Sequence, residues 1–445
     1  MFGALILLNK YQLNGQNNII FIISQNMTNQ EQVDILIIGA GPSGCVAAGY
    51  LEQKDIKIKV VERLTYPRIV VGESLIPRSM DHFEEAGLLP TLQKMNFEKK
   101  PGARFIRGNQ ICVFDFSNKF TEGWDWTWQI PRADFDQVMA ESLIERGVDI
   151  AFETTVTAVS FDENGKATTQ VIDKDGNESI IQSRFVIDCS GYGRVLPRLL
   201  NLDAPSKLSP HSAIFSHVKD VRRPEGREGT QISFDIIERE VWLWVIPFSN
   251  GNTSLGIVAP TDYIDNLGPD TTLALKEAIK KSDFYIQRFG DLDFEFEPKI
   301  LKNYSTNVSE MYGKGYALTG NSSEFLDPVF SSGVCFATES GLLAAKLAFR
   351  ELQGETVNWE EEYSTYMRYG IDVFSTYVKE WYTGNLQTLF FHQPENPEVK
   401  RRICAVLAGY VWDKNNPFVK KHKNIVRNMA YLIDQKLDVS DFEKM

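Results

Sequence analysis

The stretch that decides the fold is Val33-Asp-Ile-Leu-Ile-Ile-Gly39-Ala-Gly41-Pro-Ser-Gly44, followed by the small-residue segment Cys45-Val-Ala-Ala-Gly-Tyr-Leu51. The apolar run predicts a buried strand, the glycines predict a tight turn, and the next segment predicts a helix. Gly39 permits the turn, Gly41 lets the backbone approach a pyrophosphate, and Gly44 lets the helix pack closely on the strand. The pattern therefore predicts a Rossmann-like dinucleotide-binding unit.

A second strand, Ile56-Lys-Ile-Lys-Val-Val-Glu62, supports this prediction. It ends in an acidic residue, which is placed to accept a hydrogen bond from a ribose hydroxyl. Strand, loop, helix, strand and acid thus follow one another in the order that the fingerprint requires. The cofactor-binding residues expected in this part of the chain are Gly39, Gly41, Ser43, Gly44, Glu62 and Arg63.

Length and composition indicate a globular protein with a small-molecule partner. The 445 residues suffice for two or three domains, and 43% hydrophobic with 24% charged residues is ordinary globular usage. The formal net charge of -12 argues against non-specific binding of nucleic acid and gives no basic stripe for anionic lipid. We therefore expect a small-molecule substrate and no nucleic-acid partner.

The cysteines and the N-terminus bear on the cellular location. Five scattered cysteines without CxxC or Cys/His spacing indicate neither a disulfide framework nor a metal site. The apolar runs within residues 3–8 and 19–23 are too short for a membrane span and do not suit a signal peptide. We expect a cytoplasmic protein in which residues 1–32 are a disordered extension or an artefact of the start site, with Met27 as the functional start.

Three later segments indicate that the dinucleotide is FAD rather than NAD. Arg184–Gly191, which contains Asp188, reads as a buried strand that closes on small residues, and Gly315–Asn321 reads as another. Asp327-Pro-Val-Phe-Ser-Ser-Gly333 then leads into a helical pattern that runs to about Leu352. A nicotinamide domain has no need for such a distant return of the chain.

The remaining chain differs in character, and its pattern gives the domain organisation. Residues 205–298 show four strand-like alternations with Gly, Asn and Pro turns, which predicts an antiparallel substrate-domain sheet. Residues 354–445 are helical and rich in aromatic residues. The predicted fold is α/β, or α+β overall: a discontinuous FAD-binding domain (33–204 and 299–353), the sheet of 205–298 and a helical C-terminal region.

The segment Trp242-Leu-Trp244-Val-Ile246-Pro247 puts three large side chains on one face of a strand. Taken alone, it reads as a core strand. Together with Gly72-Glu73-Ser74-Leu-Ile-Pro77, Lys99-Lys100-Pro-Gly102 and the helix start at Asp327, it resembles the flavin-dependent halogenases of the phenolic and pyrrolic branch, within the FAD monooxygenase superfamily. The resemblance covers most of the chain from about Val33.

The resemblance implies a role for each of these motifs. It places Arg132 of Arg-Ala-Asp-Phe-Asp136 near FAD, together with Asp188, Gly320, Asn321 and Asp327, although the family usually has Asp at the position of Asn321. Halide is expected at Ser331, Ser332 and Gly333, where successive N–H groups at a helix start receive an anion. The side chains expected to keep the substrate away from the flavin are Trp242, Trp244, Ile246 and Pro247.

The implied chemistry is halogenation of an electron-rich aromatic ring, with phenolic substrates favoured. Reduced FAD and O2 give a flavin hydroperoxide, chloride or bromide attacks it, and Lys100 directs the resulting hypohalous acid. Glu73 positions the flavin or lines the route of the oxidant. A separate NAD(P)H flavin reductase is expected as partner, and the aromatic substrate is free or bound to a carrier.

Two other functions remain open at this point. One is an FAD monooxygenase or a reductase of the geranylgeranyl type, which shares the nucleotide domain but has no use for a lysine that receives an oxidant. The other is a flavin-binding protein without catalysis, for which Asn321 is the only hint. Oxygen-dependent product formation separates this second alternative from both enzymes.

Overall fold

The computed structural model describes residues 30–393 and 395–436, so the predicted N-terminal extension up to residue 29 lies outside the described residues. In these ranges the strands are β1 Gln30–Ile38, β2 Ile58–Val61, β3 Glu98–Lys100, β4 Gly102–Arg107, β5 Gln110–Asp115, β6 Thr127–Gln129, β7 Asp149–Ala151, β8 Thr155–Phe161, β9 Ala167–Ile172, β10 Glu178–Asp188, β11 Asp203–Ala204, β12 His211–Lys219, β13 Ser233–Glu238, β14 Val241–Pro247, β15 Asn252–Pro260, β16 Lys299–Leu301, β17 Asn307–Val308, β18 Tyr312–Gly313 and β19 Tyr316–Leu318.

The helices connect and cover these strands. They are α1 Pro42–Glu52, α2 Arg78–Glu85, α3 Leu89–Gln93, α4 Arg132–Glu145, α5 Val195–Leu199, α6 Arg227–Thr230, α7 Thr261–Asn266, α8 Thr271–Lys280, α9 Ile286–Phe289, α10 Ser332–Leu352, α11 Tyr366–Thr383, α12 Asn385–Phe390, α13 Pro397–Leu407, α14 Pro417–Lys420 and α15 His422–Asp434. Short 3₁₀ turns at Gly320–Ser322 and Pro328–Phe330 precede α10, and a π-helical turn at Glu360–Thr365 precedes α11.

The first sheet is the predicted Rossmann-like unit. Its strand order is β18-β19-β10-β1-β2-β7, and β1 pairs in parallel with both β10 and β2. β19 lies parallel to β10, so the late strand returns beside the first one. The carboxyl ends of β1, β10 and β19 therefore meet at one edge of the sheet, where open α/β sheets bind ligands.

The second sheet has seven strands in the order β16-β12-β15-β14-β13-β4-β5. The four strands predicted between residues 205 and 298 are present and pair antiparallel. The sheet also includes β4, β5 and β16, which the predicted boundaries assigned to the FAD-binding domain. β4 pairs with β13 in parallel across about 130 residues of sequence, a pairing for which the local pattern holds no signal.

Side-chain alternation separates the two faces of this sheet. Trp242, Trp244 and Ile246 pack into the large core that it shares with the nucleotide-binding sheet. Leu243 and Val245 pack on the opposite face in a smaller core, against residues of α8 and α9. The C-terminal helices α11 and α12 pack beside the same large core through side chains such as Trp381 and Phe390. This arrangement leaves a cavity between the first sheet and the aromatic face of the second.

The predicted fold class is confirmed: an α/β nucleotide-binding unit, a largely antiparallel second sheet and helices towards the C-terminus. Within residues 30–393 and 395–436, no helix combines the length and the apolar character that crossing a bilayer requires. In the same ranges, no group of three or more His, Cys, Asp or Glu side chains is arranged to hold a metal ion.

Candidate active site

A cavity of about 630 Å³ runs from the glycine-rich loop to the tryptophan stripe. Its wall brings together segments that are far apart in sequence: the loop at residues 39–43, residues 61–64, residues 68–74, the turn at residues 189–193, and the helix start at residues 331–334. Trp242, Trp244 and Ile246 close its other end. The volume suits a cofactor together with a small organic molecule.

The glycine-rich loop has the shape that its sequence predicts. Gly39 has φ of +103°, and a Cβ there would lie 2.5 Å from the Cys189 carbonyl oxygen. A Cβ on Gly44 would lie 1.9 Å from the Gly39 carbonyl oxygen, so this position packs α1 onto the strand. Beside Gly41, by contrast, the nearest atom to a Cβ is an Arg68 nitrogen at 3.6 Å. The open side of the loop therefore faces the cavity at Gly41, where backbone can approach a pyrophosphate.

Glu62 is held in a fixed position at the end of β2. Its carboxylate accepts hydrogen bonds from the backbone N–H groups of Ala40 (2.8 Å) and Leu64 (2.9 Å). Arg68 forms an ion pair with it at 3.0 Å. Glu62, Arg63 and Arg68 all line the cavity. The Arg68 guanidinium also pairs with Asp136 (3.3 Å), so it joins the two carboxylates beside this end of the cavity.

Arg132 and Asp188 support the cavity in different ways. The Arg132 guanidinium donates two hydrogen bonds to Asp136 (2.7 and 2.8 Å) and one to the Val71 carbonyl oxygen (2.6 Å), and the residue lines the cavity. Asp188 is fully buried outside the lining residues, and its carboxylate accepts from the N–H groups of Ser190 and Leu196. It thereby orders the turn at residues 189–193, which does line the cavity. Burial raises the pKa of this carboxyl.

The late return of the chain completes the cofactor end. Thr319 Oγ1 and Ser43 Oγ lie 2.8 Å apart and join the end of β19 to the glycine-rich loop. Gly320 has φ of +51° in the turn that follows, and both Gly320 and Asn321 line the cavity. The backbone carbonyl oxygen of Asn321 accepts a hydrogen bond from the Arg194 guanidinium (3.0 Å), which fixes this turn.

The start of α10 lies beside the cavity. Ser331 has a left-handed backbone (φ of +57°), and its side chain makes no capping hydrogen bond. Ser331 and Gly333 line the cavity, whereas Ser332 is buried outside the lining residues. The Ser331 N–H donates to the Pro328 carbonyl oxygen (3.0 Å), whereas the first N–H groups of the 21-residue helix itself have no intrahelical acceptor. A small anion would be stabilised there.

Asp327 stands behind this helix start rather than in the cavity wall. Its carboxylate accepts hydrogen bonds from the Val329 N–H (2.9 Å), the Tyr304 hydroxyl (2.8 Å) and the Tyr382 hydroxyl (2.9 Å). The Trp242 indole N–H in turn lies 3.3 Å from the Tyr382 oxygen. Burial raises the pKa of the Asp327 carboxyl. This network ties the predicted halide loop to the first residue of the tryptophan stripe.

The tryptophan stripe is a wall, as its alternation predicts. Trp244 donates through its indole N–H to Ser254 Oγ (3.0 Å) and is thus fixed in orientation. A Cβ on Gly256 would lie 2.2 Å from the Trp244 ring, so the ring lies flat against that glycine. Pro247 lies outside the cavity, and its carbonyl accepts from the Gln129 side chain.

Lys100 is one of the largest fully buried side chains and is not among the cavity-lining residues. Its ammonium donates to Ser74 Oγ (2.8 Å) and to the Leu75 carbonyl oxygen (2.6 Å). Burial lowers the pKa of Lys100 to about 7, because no carboxylate compensates the charge. Ser74 does line the cavity, so its hydroxyl is the point at which Lys100 can act on a bound molecule. Lys99, by contrast, is exposed.

Glu73 lines the cavity directly, and the structure gives it a partner that the sequence analysis did not assign. Its Oε1 lies 2.7 Å from Nε2 of His217, a residue of β12. The other unpredicted residues of the site are Arg68, Ser74, Tyr304 and Tyr382. Arg68 comes shortly after the second strand, and this position is the only feature of the sequence from which its place in the site could have been predicted. His217 and Tyr382 reach the site from elements more than 140 residues from Glu73.

FAD fits these features. An open glycine-rich loop leads into a helix N-terminus, a carboxylate ends the second strand, and the Arg68 side chain lines the same end of the cavity. The residues that would hold FAD are those of the loop at 39–43, Glu62, Arg63, Arg68, Arg132 and the turn at 320–321. The first turn of α10 would face the flavin end.

Comparison with known proteins also indicates that FAD is the cofactor. The family model described as FAD binding domain matches residues 32–279, which is more than half of the chain. The chain belongs to this FAD-binding family. Curated relatives that align with it are named as flavin-dependent halogenases, and it is accordingly an enzyme of the flavin oxidoreductase type. The predictions of the family and of FAD as cofactor are therefore confirmed.

Two of those relatives align over most of their length. A 1H-pyrrole-2-carbonyl-[peptidyl-carrier protein] brominase of Pseudoalteromonas luteoviolacea is 26% identical over 87% of this chain and 94% of its own. The corresponding chlorinase of Pseudomonas fluorescens is 26% identical over 85% of this chain and 89% of its own.

Solved structures agree on the fold. A flavoprotein/dehydrogenase from Cytophaga hutchinsonii is 46% identical, with a TM-score of 0.89 over 91% of this chain and all of that one. A flavin-dependent brominase with 24% identity has a TM-score of 0.78 over the same share of this chain and likewise all of its own.

Proposed function

We propose that the protein uses reduced FAD, O2 and chloride or bromide to halogenate an electron-rich aromatic ring. The observation that carries the proposal is the cavity itself: one space joins a nucleotide loop, a helix start without a side-chain cap and a wall of two tryptophans, with a buried lysine behind Ser74. When bound, reduced FAD supplies two electrons to O2, which allows halide to be oxidised to hypohalous acid.

The protein's own residues then have separate tasks. The halide binds at Ser331 to Gly333, with the N–H groups of Ser332 and Gly333 as donors, because the Ser331 N–H already donates to the Pro328 carbonyl oxygen. The stripe of Trp242, Trp244 and Ile246 fills the space between the flavin end and the substrate, so that an organic ring does not reach the flavin.

Lys100 acts on the oxidant through the Ser74 hydroxyl to which it donates. A pKa of about 7 leaves both of its protonation states accessible near neutral pH, so it can pass a proton through Ser74 to a departing oxygen and take one up again.

The substrate class is proposed from chemistry and from the relatives. Ring halogenation by hypohalous acid requires electron density on the ring, which phenols and pyrroles provide. Two relatives are named for a pyrrole carried on a peptidyl-carrier protein, which supports a carrier-bound substrate as well as a free one. We favour a phenol because the Lys-Lys-Pro-Gly form of the lysine segment is that of the phenolic branch.

A second candidate is an FAD-dependent oxidoreductase that does not halogenate. Two observations favour it: the 46% identical structure is described as a flavoprotein/dehydrogenase, and Lys100 is enclosed rather than open to the cavity. In this candidate Lys100 serves to hold the segment at Ser74 and Leu75, and the cavity takes a substrate that exchanges electrons with FAD.

One experiment separates the two. The purified protein is incubated with FAD, a flavin reductase, NADH, O2, bromide and a panel of phenols and pyrrole carboxamides, and the products are analysed by mass spectrometry. Addition of bromine to a ring, dependent on bromide and absent when the protein is heat-inactivated, supports halogenation. Hydroxylated or dehydrogenated products without bromine support the second candidate and refute the first.

A further inference from the structure

A carboxylate and an imidazole form a hydrogen-bonded pair at the tryptophan end of the cavity. Glu73 is 3% exposed and lines the cavity, and its Oε1 lies 2.7 Å from His217 Nε2. The imidazole is packed edge-on against Phe248 and Phe296, with ring centroids 5.2 and 5.0 Å away. The ring is therefore fixed in orientation, and its N–H aims at the carboxylate.

Strand register shows where this pair lies. His217 is opposite Ser254 on β15, and Ser254 is opposite Ile246 on β14. Facing residues of paired strands share a face of the sheet, so His217 continues the row of Ile246, one row beyond that of Trp244 and Phe215. The Glu73–His217 pair thus borders the Ile246 end of the stripe, and the inference below places the substrate ring beside it.

The charge distribution makes Glu73 the group suited to remove a proton. The carboxylates that line the cavity are Glu62 and Glu73, and Glu62 is engaged by two backbone N–H groups and Arg68 at the nucleotide end. Glu73 Oε2 accepts no hydrogen bond within residues 30–393 and 395–436, while Oε1 is held by His217. The adjacent residue, Ser74, carries the contact to Lys100. The base Glu73 and Ser74, through which the proton donor Lys100 reaches the cavity, are therefore consecutive residues of the cavity wall.

We propose that Glu73 is the general base of the reaction and that His217 is the residue that positions it. This inference rests on the proposed halogenation. In the step, a ring π pair forms the carbon–halogen bond while the oxygen–halogen bond of hypohalous acid breaks. The oxygen leaves as water with a proton from Lys100. The carbon–hydrogen electron pair then restores aromaticity, and the ring proton moves to Glu73 Oε2.

The experiment uses the full-length protein with FAD, a reductase, bromide and a phenol that the wild type brominates, supplied as an equal mixture of unlabelled and ring-deuterated forms. In the wild type, the attack of the ring on the oxidant determines which phenol molecules react, because the ring proton is removed quickly afterwards. The brominated product therefore keeps the isotopic ratio of the mixture. In Glu73→Gln, proton removal becomes slow, so the brominated ring intermediate can return its bromine to water, re-forming hypobromous acid and the phenol. The carbon–hydrogen bond then helps to decide which molecules react, and the product is enriched in the unlabelled form. We expect its yield to fall about a hundredfold, the range for loss of a general base.

Matched variants and a second measurement separate catalysis from folding. Hypohalous acid is captured with an added 1,3-dicarbonyl trap, and its yield should stay at the wild-type level in Glu73→Gln. His217→Gln, which keeps an N–H donor, should retain more activity than His217→Phe. The control is Glu297→Gln, an exposed carboxylate on the segment next to Phe296, which should behave as wild type.

The outcomes distinguish the two proposals. If the wild type forms neither brominated phenol nor trapped oxidant, the proposed halogenation fails and this inference falls with it. If the wild type brominates and Glu73→Gln does so at a normal rate, or loses product together with trapped oxidant and without isotopic enrichment, only the role of Glu73 is refuted. If the Glu73→Gln product is enriched in the unlabelled form and the yield of trapped oxidant is that of the wild type, the role of Glu73 as general base is supported.

Discussion

Replacing Lys100 by Met should change how the stability of the protein depends on pH. Met has a similar length and volume but no charge, and Lys100 is 1% exposed. Burial lowers the pKa of this amine from 10.5 to about 7 in the folded state. Between these two values the unfolded chain binds the proton and the folded protein does not, so the free energy of unfolding of the wild type rises with pH in this window.

The magnitude follows from the size of the shift. One pKa unit corresponds to about 1.4 kcal/mol, so the contribution of Lys100 increases by about that amount per pH unit over most of the window. Between pH 7.5 and 9.5 the wild type should gain about 2 to 3 kcal/mol over Lys100→Met. The absolute difference at one pH is less informative, because the variant also leaves Ser74 Oγ and the Leu75 carbonyl without their donor, each at a cost of about 1–3 kcal/mol.

The assay is urea unfolding followed by circular dichroism at half-unit pH steps and constant ionic strength, with FAD removed from all samples. Lys99→Met is the control, because Lys99 is exposed and its removal should leave the pH slope unchanged. A difference between wild type and Lys100→Met that stays constant from pH 7.5 to 9.5 would refute a buried amine with a lowered pKa.

Three further predictions concern the reaction. Lys100→Ala should keep FAD binding and oxygen consumption but lose halogenated product by about a hundredfold or more, whereas Lys99→Ala should be mild; near-normal halogenation in Lys100→Ala would overturn its role. Gly333→Val should raise the bromide concentration for half-maximal product, because a Cβ at this position would lie 2.8 Å from the Phe325 ring and would crowd the helix start. Ser332→Ala keeps the backbone N–H groups and should leave that concentration unchanged. If Gly333→Val has the bromide dependence of the wild type, the halide site lies elsewhere. The purified protein should oxidise NADH or NADPH negligibly even with a phenol present, because the chain carries one dinucleotide fingerprint, at Gly39 to Gly44; rapid stopped-flow reduction of bound FAD by NADPH would contradict a separate reductase.

The nucleotide-binding half of the protein could be predicted because its signals are local. The strand, turn and helix at Val33 to Leu51 and the acid at the end of the second strand are consecutive in sequence, and each needs a particular residue type for a steric reason. The same holds for the tryptophan stripe, since alternation along a single strand fixes which side chains share a face.

The domain boundaries and the surroundings of the predicted site residues depend on pairings that no local pattern contains. The parallel pairing of β4 with β13 joined strands from two predicted domains into one sheet. Ser331 takes a left-handed backbone directly after the 3₁₀ turn that Asp327 caps, a conformation that its residue type does not indicate.

The sequence alone determined that this chain binds a dinucleotide, that it has an aromatic-faced strand, and which lysine and helix start were candidates for chemistry. Only the tertiary structure decided that Lys100 is enclosed behind Ser74, that Asp188 and Asp327 stand behind the cavity wall, and that His217 meets Glu73 across 144 residues of chain. The physical reason is that burial and hydrogen bonding between distant strands fix the charge and orientation of a side chain. Neither property can be read from its neighbours in sequence.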